Sequence, residues 1–306
     1  MLNKGIVAGL FSGLLWGITG ILYENLNILY PVTTVISVIL IILFIVELMS
    51  GVLVSSSILV LYKRNLTKEL TIKTIILAIS LGVIGGPIGM LCYLQSISLI
   101  GVGYAAPISS IYPVFGTILS FLFLKDKIRK IGILGIFITL ICTFLLSLNI
   151  NSGSFSILGI CLALICALSW GTEIVLSSYV MNLMGNIASS KYAYALRQVG
   201  ASLGYLILLF YFKINFIHLI HNILNINFDF FILGIILSSM FSYLLYYYAI
   251  DKLKPIRAMM LNITYGVWIV LLGSFIDNNI INFKQIILVI GILIGSIIVL
   301  RAKKES

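Results

Sequence analysis

The feature that most constrains this chain is the regular return of apolar runs about as long as a bilayer is thick. A helix needs roughly 20 apolar residues to cross the hydrocarbon. Ten runs qualify, at 5–23, 33–61, 73–96, 104–124, 130–149, 157–180, 191–212, 229–250, 256–276 and 283–300. The second is long enough to tilt or to extend past the hydrocarbon. The connection 213–228 has room for a short interfacial helix. Composition agrees: of 306 residues 61% are hydrophobic and 9% charged, where a soluble domain carries about 25% charged residues. So few charges cannot cover a water-soluble surface, and the chain is expected to be an all-α membrane protein. The run after Lys4 has no obvious cleavage site and reads as a retained first span.

The basic residues then fix which connections share a side. With the N-terminus inside, Lys4 is followed on that side by Lys63, Arg64, Lys68 and Lys73, then by Lys125, Lys127, Arg129 and Lys130. Lys191, Lys252, Lys254, Arg257, Arg301, Lys303 and Lys304 complete the inside set together with Arg197, which counts for less because its position also fits the interior of the following helix. Only Lys213 and Lys284 of the 19 Lys and Arg fall on the other side. Cytoplasmic connections collect Lys and Arg, so the alternation predicts ten transmembrane helices with both termini cytoplasmic. The net charge of +10 is thereby explained by topology, and no nucleic-acid partner is expected.

The two halves of the chain resemble each other. AGLFSGLLWG at 8–17 matches LALICALSWG at 162–171, which places Trp16-Gly17 and Trp170-Gly171 154 positions apart. SSIYPVFG at 109–116 matches NITYGVWI at 262–269, pairing Tyr112 with Tyr265 at a shift of 153. We therefore divide the chain into 1–150 and 151–306, each of five spans. Five is odd, so the second unit enters the membrane from the opposite face. Such inverted repeats underlie alternating access in many secondary transporters. Gly5, Gly9, Gly13 and Gly17 recur every fourth residue on the first span, as do Gly82 with Gly86 and Gly85 with Gly89 on the third, which lets helix backbones approach closely. Pro87 and Pro113 fall inside spans and should bend or break them.

Three ionisable residues are placed at membrane depth: Glu47, Glu173 and Arg197. Charge there is expensive and usually faces a cavity. Glu173 lies one turn after Trp170, so the two share a helix face; its counterpart in the first half is Thr19. Two roles are open to it, a buried ion pair with Arg197 or contact with substrate and protons. Glu47 aligns by local pattern with Arg197, and either gating or packing fits it. Trp16 and Trp170 sit mid-span, away from the headgroup belt, among Tyr93, Tyr112, Tyr243, Tyr246, Tyr247, Tyr265 and Trp268. Two central Trp and a carboxylate suit a cation that cannot donate hydrogen bonds. Each ring contributes roughly 0.5–2 kcal/mol over a quaternary ammonium. Three rings thus fall short of the ~8 kcal/mol that micromolar binding requires, leaving the remainder to the carboxylate. Cys92, Cys142, Cys161 and Cys166 lack metal-ligand spacing and read as small helix residues. His218 and His221 read as loop residues. Nucleophile, P-loop and zinc motifs are absent, so neither enzymatic activity nor a cofactor or metal is expected, and transport should draw on a gradient.

The repeated five-helix unit with Trp-Gly in its first helix resembles the EamA domain of the drug/metabolite transporter superfamily, over essentially the whole chain. Within it the chain is similar to the LicB-type choline transporters of bacteria. FSGLLWG (11–17), GGPIGM (85–90), SSIYP (109–113), CALSWGTE (166–173) with Ser177-Ser178, LRQV (196–199), SYLLYYYAIDKLKP (242–255) and LNITYGVW (261–268) carry that likeness. The resemblance implies a ten-helix inverted repeat around a central cavity in a bacterial cytoplasmic membrane. It also implies choline uptake driven by protons or the membrane potential, feeding phosphocholine into the cell envelope. Trp16, Trp170 and Glu173 would form the core of the choline site. Tyr112, Tyr246, Tyr247, Asn262, Tyr265 and Trp268 would line it, with Glu173, Glu47 and Arg197 serving coupling or gating. The chain departs from the superfamily pattern at Gly266, where a proline is expected, and at Asn279, whose first-half counterpart is Asp126. An exporter of amino acids or other metabolites on the same fold is the alternative. A lipid-modifying membrane enzyme and a non-transporting scaffold are poorer fits.

Overall fold

The computed structural model describes residues 2–29, 36–61, 70–126, 128–147, 156–185, 189–214, 229–276 and 281–302. Several expectations lie outside the described residues: most of the 213–228 connection with His218 and His221, Asn279, and the basic residues Lys63, Arg64, Lys68, Lys127, Lys303 and Lys304.

All regular structure among the described residues is helical. The first half comprises α1 (Leu2–Leu29), α2 (Ile36–Leu61), α3 (Ile72–Val83), a π-helical turn (Ile84–Ile88), α4 (Gly89–Ile100), α5 (Val102–Ser109), α6 (Tyr112–Leu124) and α7 (Lys130–Ser147). The second comprises α8 (Ile157–Met184), α9 (Ser189–Tyr211), α10 (Asp229–Leu253), α11 (Pro255–Asn262), α12 (Tyr265–Ile276) and α13 (Phe283–Arg301). Nine stretches among the described residues are long and apolar enough to cross a bilayer, and Lys130–Leu146 is a shorter apolar helix. The protein is thus a multi-pass membrane protein. Its outward surface carries Phe121, Leu122, Phe137, Ile207 and Phe210 exposed, which is stable only against lipid.

Interruptions of the helices recur at one spacing. α5 gives way to α6 at Ser110-Ile111, and α11 to α12 at Ile263-Thr264, 153 positions on. In the first break Pro113 has no N–H to donate, and Val114 N–H reaches only Ile111 O (2.8 Å). In the second, Gly266 stands where proline was expected, yet the helix breaks at the matching place. Thr264 explains it: its hydroxyl and its N–H both donate to Leu261 O (2.6 and 3.2 Å). That carbonyl is the acceptor which Tyr265 N–H would use in a continuous helix. A second symmetric pair lies at the corners before these spans. Gly101 (φ 77, ψ 158) and Lys254 (φ 71, ψ 164) share one unusual backbone conformation.

The two halves interlock through their Trp-Gly glycines. A Cβ on Gly171 would stand 2.8 Å from Tyr112 O, and one on Gly17 would stand 3.2 Å from Tyr265 O. Each α-helix bearing Trp-Gly therefore rests on the broken helix of the opposite half. This is the physical content of the matched Trp-Gly and Tyr positions in the sequence. The glycines of the first span do the same work along its length, with Gly9 facing Leu261 and Gly13 facing Thr264. Close approach of this kind maximises packing where no hydrophobic effect drives helices together.

Candidate functional site

At the centre, α9 crosses the third span in backbone contact. A Cβ on Gly82 would fall on the Arg197 carbonyl, and one on Gly200 would fall on the Ile79 carbonyl. Only glycine at these positions lets α9 sit so deep, and the depth delivers Arg197 to the middle of the molecule. Its side chain is 2% exposed. A guanidinium so far from water must be met by opposite charge and hydrogen bonds.

It is met on both sides. Arg197 Nη1 lies 2.6 Å from Glu47 Oε2, and Arg197 Nε lies 2.9 Å from Glu173 Oε1. Nη1 also donates to Gln198 Oε1 (2.6 Å), and Nη2 donates to the Tyr243 hydroxyl (3.4 Å). The guanidinium carbon stands 4.7 Å from the centroid of the Tyr243 ring, within cation–π range. Of the two readings of Glu173 that its position allowed, the ion pair with Arg197 is what the structure contains. Two carboxylates against one guanidinium leave this triad with a formal charge of −1.

The carboxylates differ in access. Glu173 is 1% exposed and Glu47 16%. Glu173 Oε1 accepts from Arg197 and from the Tyr247 hydroxyl (3.3 Å), which also meets Ser177 Oγ (2.9 Å). Its other oxygen is walled off by the third span, because a Cβ on Gly85 would land on Glu173 Oε2. Gly85 belongs to the π-helical turn that holds Pro87, so the span departs from regular α-helical geometry at that proline. The turn leaves Gly85 O free to accept from Trp170 Nε1 (3.1 Å). Trp170 and Glu173 therefore do share a helix face, and that face is seated on Gly85. Single π-turns within helices are frequent at functional sites.

A cavity of about 40 Å³ opens beside the triad. Trp16, Trp170, Glu47, Arg197, Tyr194 and Tyr243 line it, with Tyr23, Met90, Gln198, Tyr205 and Ser239 around them. Tyr243 meets Trp16 edge-on (5.5 Å between centroids, 88°) and stacks on Tyr194 (5.8 Å, 12°). Five of the residues named from sequence, Trp16, Trp170, Tyr243, Glu47 and Arg197, thus share one chamber, and Glu173 stands directly behind it.

The other candidates occupy a layer adjoining the chamber, in which Tyr112, Tyr246, Tyr247 and Asn262 are buried and Tyr265 and Trp268 half-buried. Tyr112 packs edge-on to Trp170 (6.3 Å, 84°) and donates to Asn262 Oδ1 (3.2 Å). Asn262 Nδ2 donates to Ser12 Oγ (2.8 Å), and Ser242 Oγ donates to Ser12 O (2.8 Å). Tyr246 and Tyr247 are buried, Tyr247 on the Glu173 side. Tyr265 and Trp268 pack along α1 at Gly17. This network ties α1, α6, α10 and α11 together at the break of the second broken helix. Tyr23, Tyr194, Gln198, Tyr205 and Ser239 were not singled out from sequence. Two of them had a readable signal: Tyr194, Arg197 and Tyr205 fall at helical spacing on one face of α9.

An apolar helical bundle of two matched halves, with broken helices and ion-paired side chains beside a central chamber, is the architecture of a membrane transporter. Comparison with known proteins gives the particular family. Residues 3–148 and 157–301 each match the EamA-like transporter family, and the chain belongs to that family. It is 33% identical to Protein LicB of Haemophilus influenzae over 305 residues, 99% of each chain. A solved crystal structure of a protein shares the fold at a TM-score of 0.71 and 14% identity, covering 97% of this chain and 96% of that one.

Proposed function

We propose that the protein is a secondary active importer of choline or a similar quaternary ammonium in a bacterial cytoplasmic membrane, working by alternating access. The observation that carries this reading is a lipid-embedded chamber walled by Trp16, Trp170, Tyr194 and Tyr243 beside a triad of net charge −1. Aromatic faces attract a cation that offers no hydrogen bonds, and the excess carboxylate balances its charge in a medium that cannot. Likeness to Protein LicB over nearly the whole chain supports the same reading. The ten spans, the inverted relation of the two halves and the cytoplasmic termini belong to this proposal, supported by the distribution of Lys and Arg. A site of charge −1 taking a monovalent cation becomes neutral. This favours the membrane potential as driving force, with protons as the alternative partner. At about 40 Å³ the chamber has room for about three waters, so the cargo is admitted as lining side chains swing aside.

The alternative is an exporter of amino acids or other metabolites. Arg197 is the observation that favours it, since a guanidinium at the chamber wall suits cargo bearing its own carboxylate. The test is uptake of labelled choline into proteoliposomes, with an imposed potential or pH gradient. Betaine, carnitine and an amino acid mixture serve as competitors. Potential-driven uptake blocked by quaternary ammonium compounds without a carboxylate is expected. No choline uptake, with transport of a labelled amino acid by the same proteoliposomes, would transfer the reading to the exporter.

A further inference from the structure

Resting on the organic-cation reading of this chamber, we infer that Glu47, not Glu173, is the carboxylate that meets the cation, and that Arg197 is a resident counter-cation which the arriving cargo displaces from Glu47. Three observations converge. Glu47 lines the chamber and keeps 16% of its side chain exposed, whereas Glu173 is 1% exposed. Glu173 is also sealed by position: Oε1 is taken by Arg197 and Tyr247, and Oε2 faces the backbone of Gly85 with no space for so much as a methyl group. It reaches the chamber only if the third span withdraws. Finally, the guanidinium already sits where an organic cation would be best placed, against a carboxylate and 4.7 Å from the Tyr243 ring centroid.

The two contacts of Arg197 use different atoms, and this makes an exchange possible. The Nε–H bond to Glu173 lies near the stem, while the bond to Glu47 comes from the terminal Nη1. Nε and Nη1 belong to one rigid planar group, so the guanidinium must pivot as a unit about its Nε–H bond to Glu173, through compensating changes along the side chain, for Nη1 to leave Glu47 while the first bond persists. Glu173 then keeps Arg197 charged and paired, and Glu47 is released to the cargo. The empty site never exposes an unpaired carboxylate to the membrane interior, and the filled one is neutral. The exchange also sets specificity: the cargo must outcompete a guanidinium, which a neutral molecule of the same shape cannot do.

The experiment separates position from charge. Two double variants carry the same formal charge of −1: Glu173→Gln with Arg197→Gln leaves Glu47 alone, and Glu47→Gln with Arg197→Gln leaves Glu173 alone. Binding of tetramethylammonium, choline and the uncharged carbon isostere of choline, 3,3-dimethylbutan-1-ol, is measured calorimetrically on the purified full chain. The wild type should prefer choline to the isostere by at least about 100-fold. The variant keeping Glu47 should bind both cations at least as tightly as the wild type, its internal competitor being gone. The variant keeping Glu173 should lose at least about 10-fold for the cations and leave the isostere unchanged. Should either double variant fail to fold, Glu47→Gln and Glu47→Asp carry the same contrast, loss against near-wild-type affinity. The reverse order, equal affinities in the two double variants, or a folded wild type that binds neither cation overturns the inference. Cation binding with this pattern but no uptake in proteoliposomes would sink the importer reading and leave the role of Glu47 standing. Choline uptake with a Glu47→Gln variant of unchanged affinity would do the opposite.

Discussion

The first and second halves share one backbone plan and divide the chemistry unequally. Where α8 carries Glu173, α1 carries Thr19, whose hydroxyl donates to Ser238 on α10 (2.8 Å). Where the third span offers Gly85 at a π-turn, α10 runs on as a regular helix and offers Ser239. The same crossing is therefore a neutral hydrogen bond in one half and a sealed carboxylate in the other. Arg197 of the second half pairs with Glu47 of the first, so the triad itself joins the two units. In the alternating-access reading proposed above, symmetry of the frame would supply two matched conformations facing opposite sides. The asymmetry of its side chains places one charge-bearing site between them.

This difference is tested most directly at Gly85. Gly85→Ala drives a methyl group into the Glu173 carboxylate, so the acid must shift away from the Arg197 and Tyr247 groups that hold it. We expect at least a 10-fold loss of uptake and a marked fall in the thermal midpoint of the detergent-purified protein. Overpacking of this kind costs about 1–3 kcal/mol, and displacing a buried charge adds to it. The counterpart Ser239→Ala, at the rim of the chamber, should leave the midpoint nearly unchanged. Equal effects at the two positions would mean that the halves are equivalent here after all.

Removing the shared cation should come next. Arg197→Met keeps most of the side-chain volume and strands two carboxylates beside each other. Breaking a buried ion pair from one side costs roughly 3–5 kcal/mol. Adding Glu173→Gln removes the more deeply buried of the two acids and should restore a large part of that loss. Thr19→Val in the first half, where one neutral hydrogen bond is lost, should cost only about 1 kcal/mol. Thermal unfolding in one detergent compares all three. Failure of Glu173→Gln to recover stability in the Arg197→Met background would show that the acid does not depend on the guanidinium.

Much of the frame was readable before any coordinates because it depends on repeated local chemistry. The constant shift between Trp16-Gly17 and Trp170-Gly171, and between Tyr112 and Tyr265, marks contacts that each half makes on the other. The break in the ninth span was less readable. Gly266 removed the expected proline signal, and Thr264 works through a side-chain bond that many threonines in continuous helices also make. The chamber divided similarly. Glu47, Arg197, Trp16 and Trp170 were identifiable because charge and mid-span Trp are costly in lipid. Tyr194 was not distinguished from the other 15 tyrosines. The face of a helix that meets a cavity, rather than a neighbouring helix, depends on long-range packing. For that reason Tyr112, Tyr246, Tyr247, Asn262, Tyr265 and Trp268 stand in the layer adjoining the chamber, where Tyr112 meets Trp170 and Tyr247 meets Glu173.

The smallest contrast lies at the corners before the broken spans. Gly101 and Lys254 share a backbone region that is nearly the preserve of glycine. The first half satisfies it without strain, and the second holds a lysine there at about 1–3 kcal/mol. Lys254 has a compensating contact, since its Nζ lies 3.2 Å from Asp126 Oδ1 at the end of α6, joining the two broken spans. The lysine side chain is 49% exposed, and such a pair contributes about 0–1 kcal/mol. Strain thus exceeds the pair. Lys254→Gly should raise the thermal midpoint slightly, by an equivalent of about 1 kcal/mol after the freedom glycine regains on unfolding. Gly101→Ala should lower it by about 1–3 kcal/mol. If Lys254→Gly instead lowers the midpoint while Asp126→Asn does so equally, the ion pair outweighs the backbone, and the lysine is retained as a tie between the halves. A midpoint that rises, together with slowed uptake, would place the strain in the transport cycle, where a corner held under tension is the one that moves most readily.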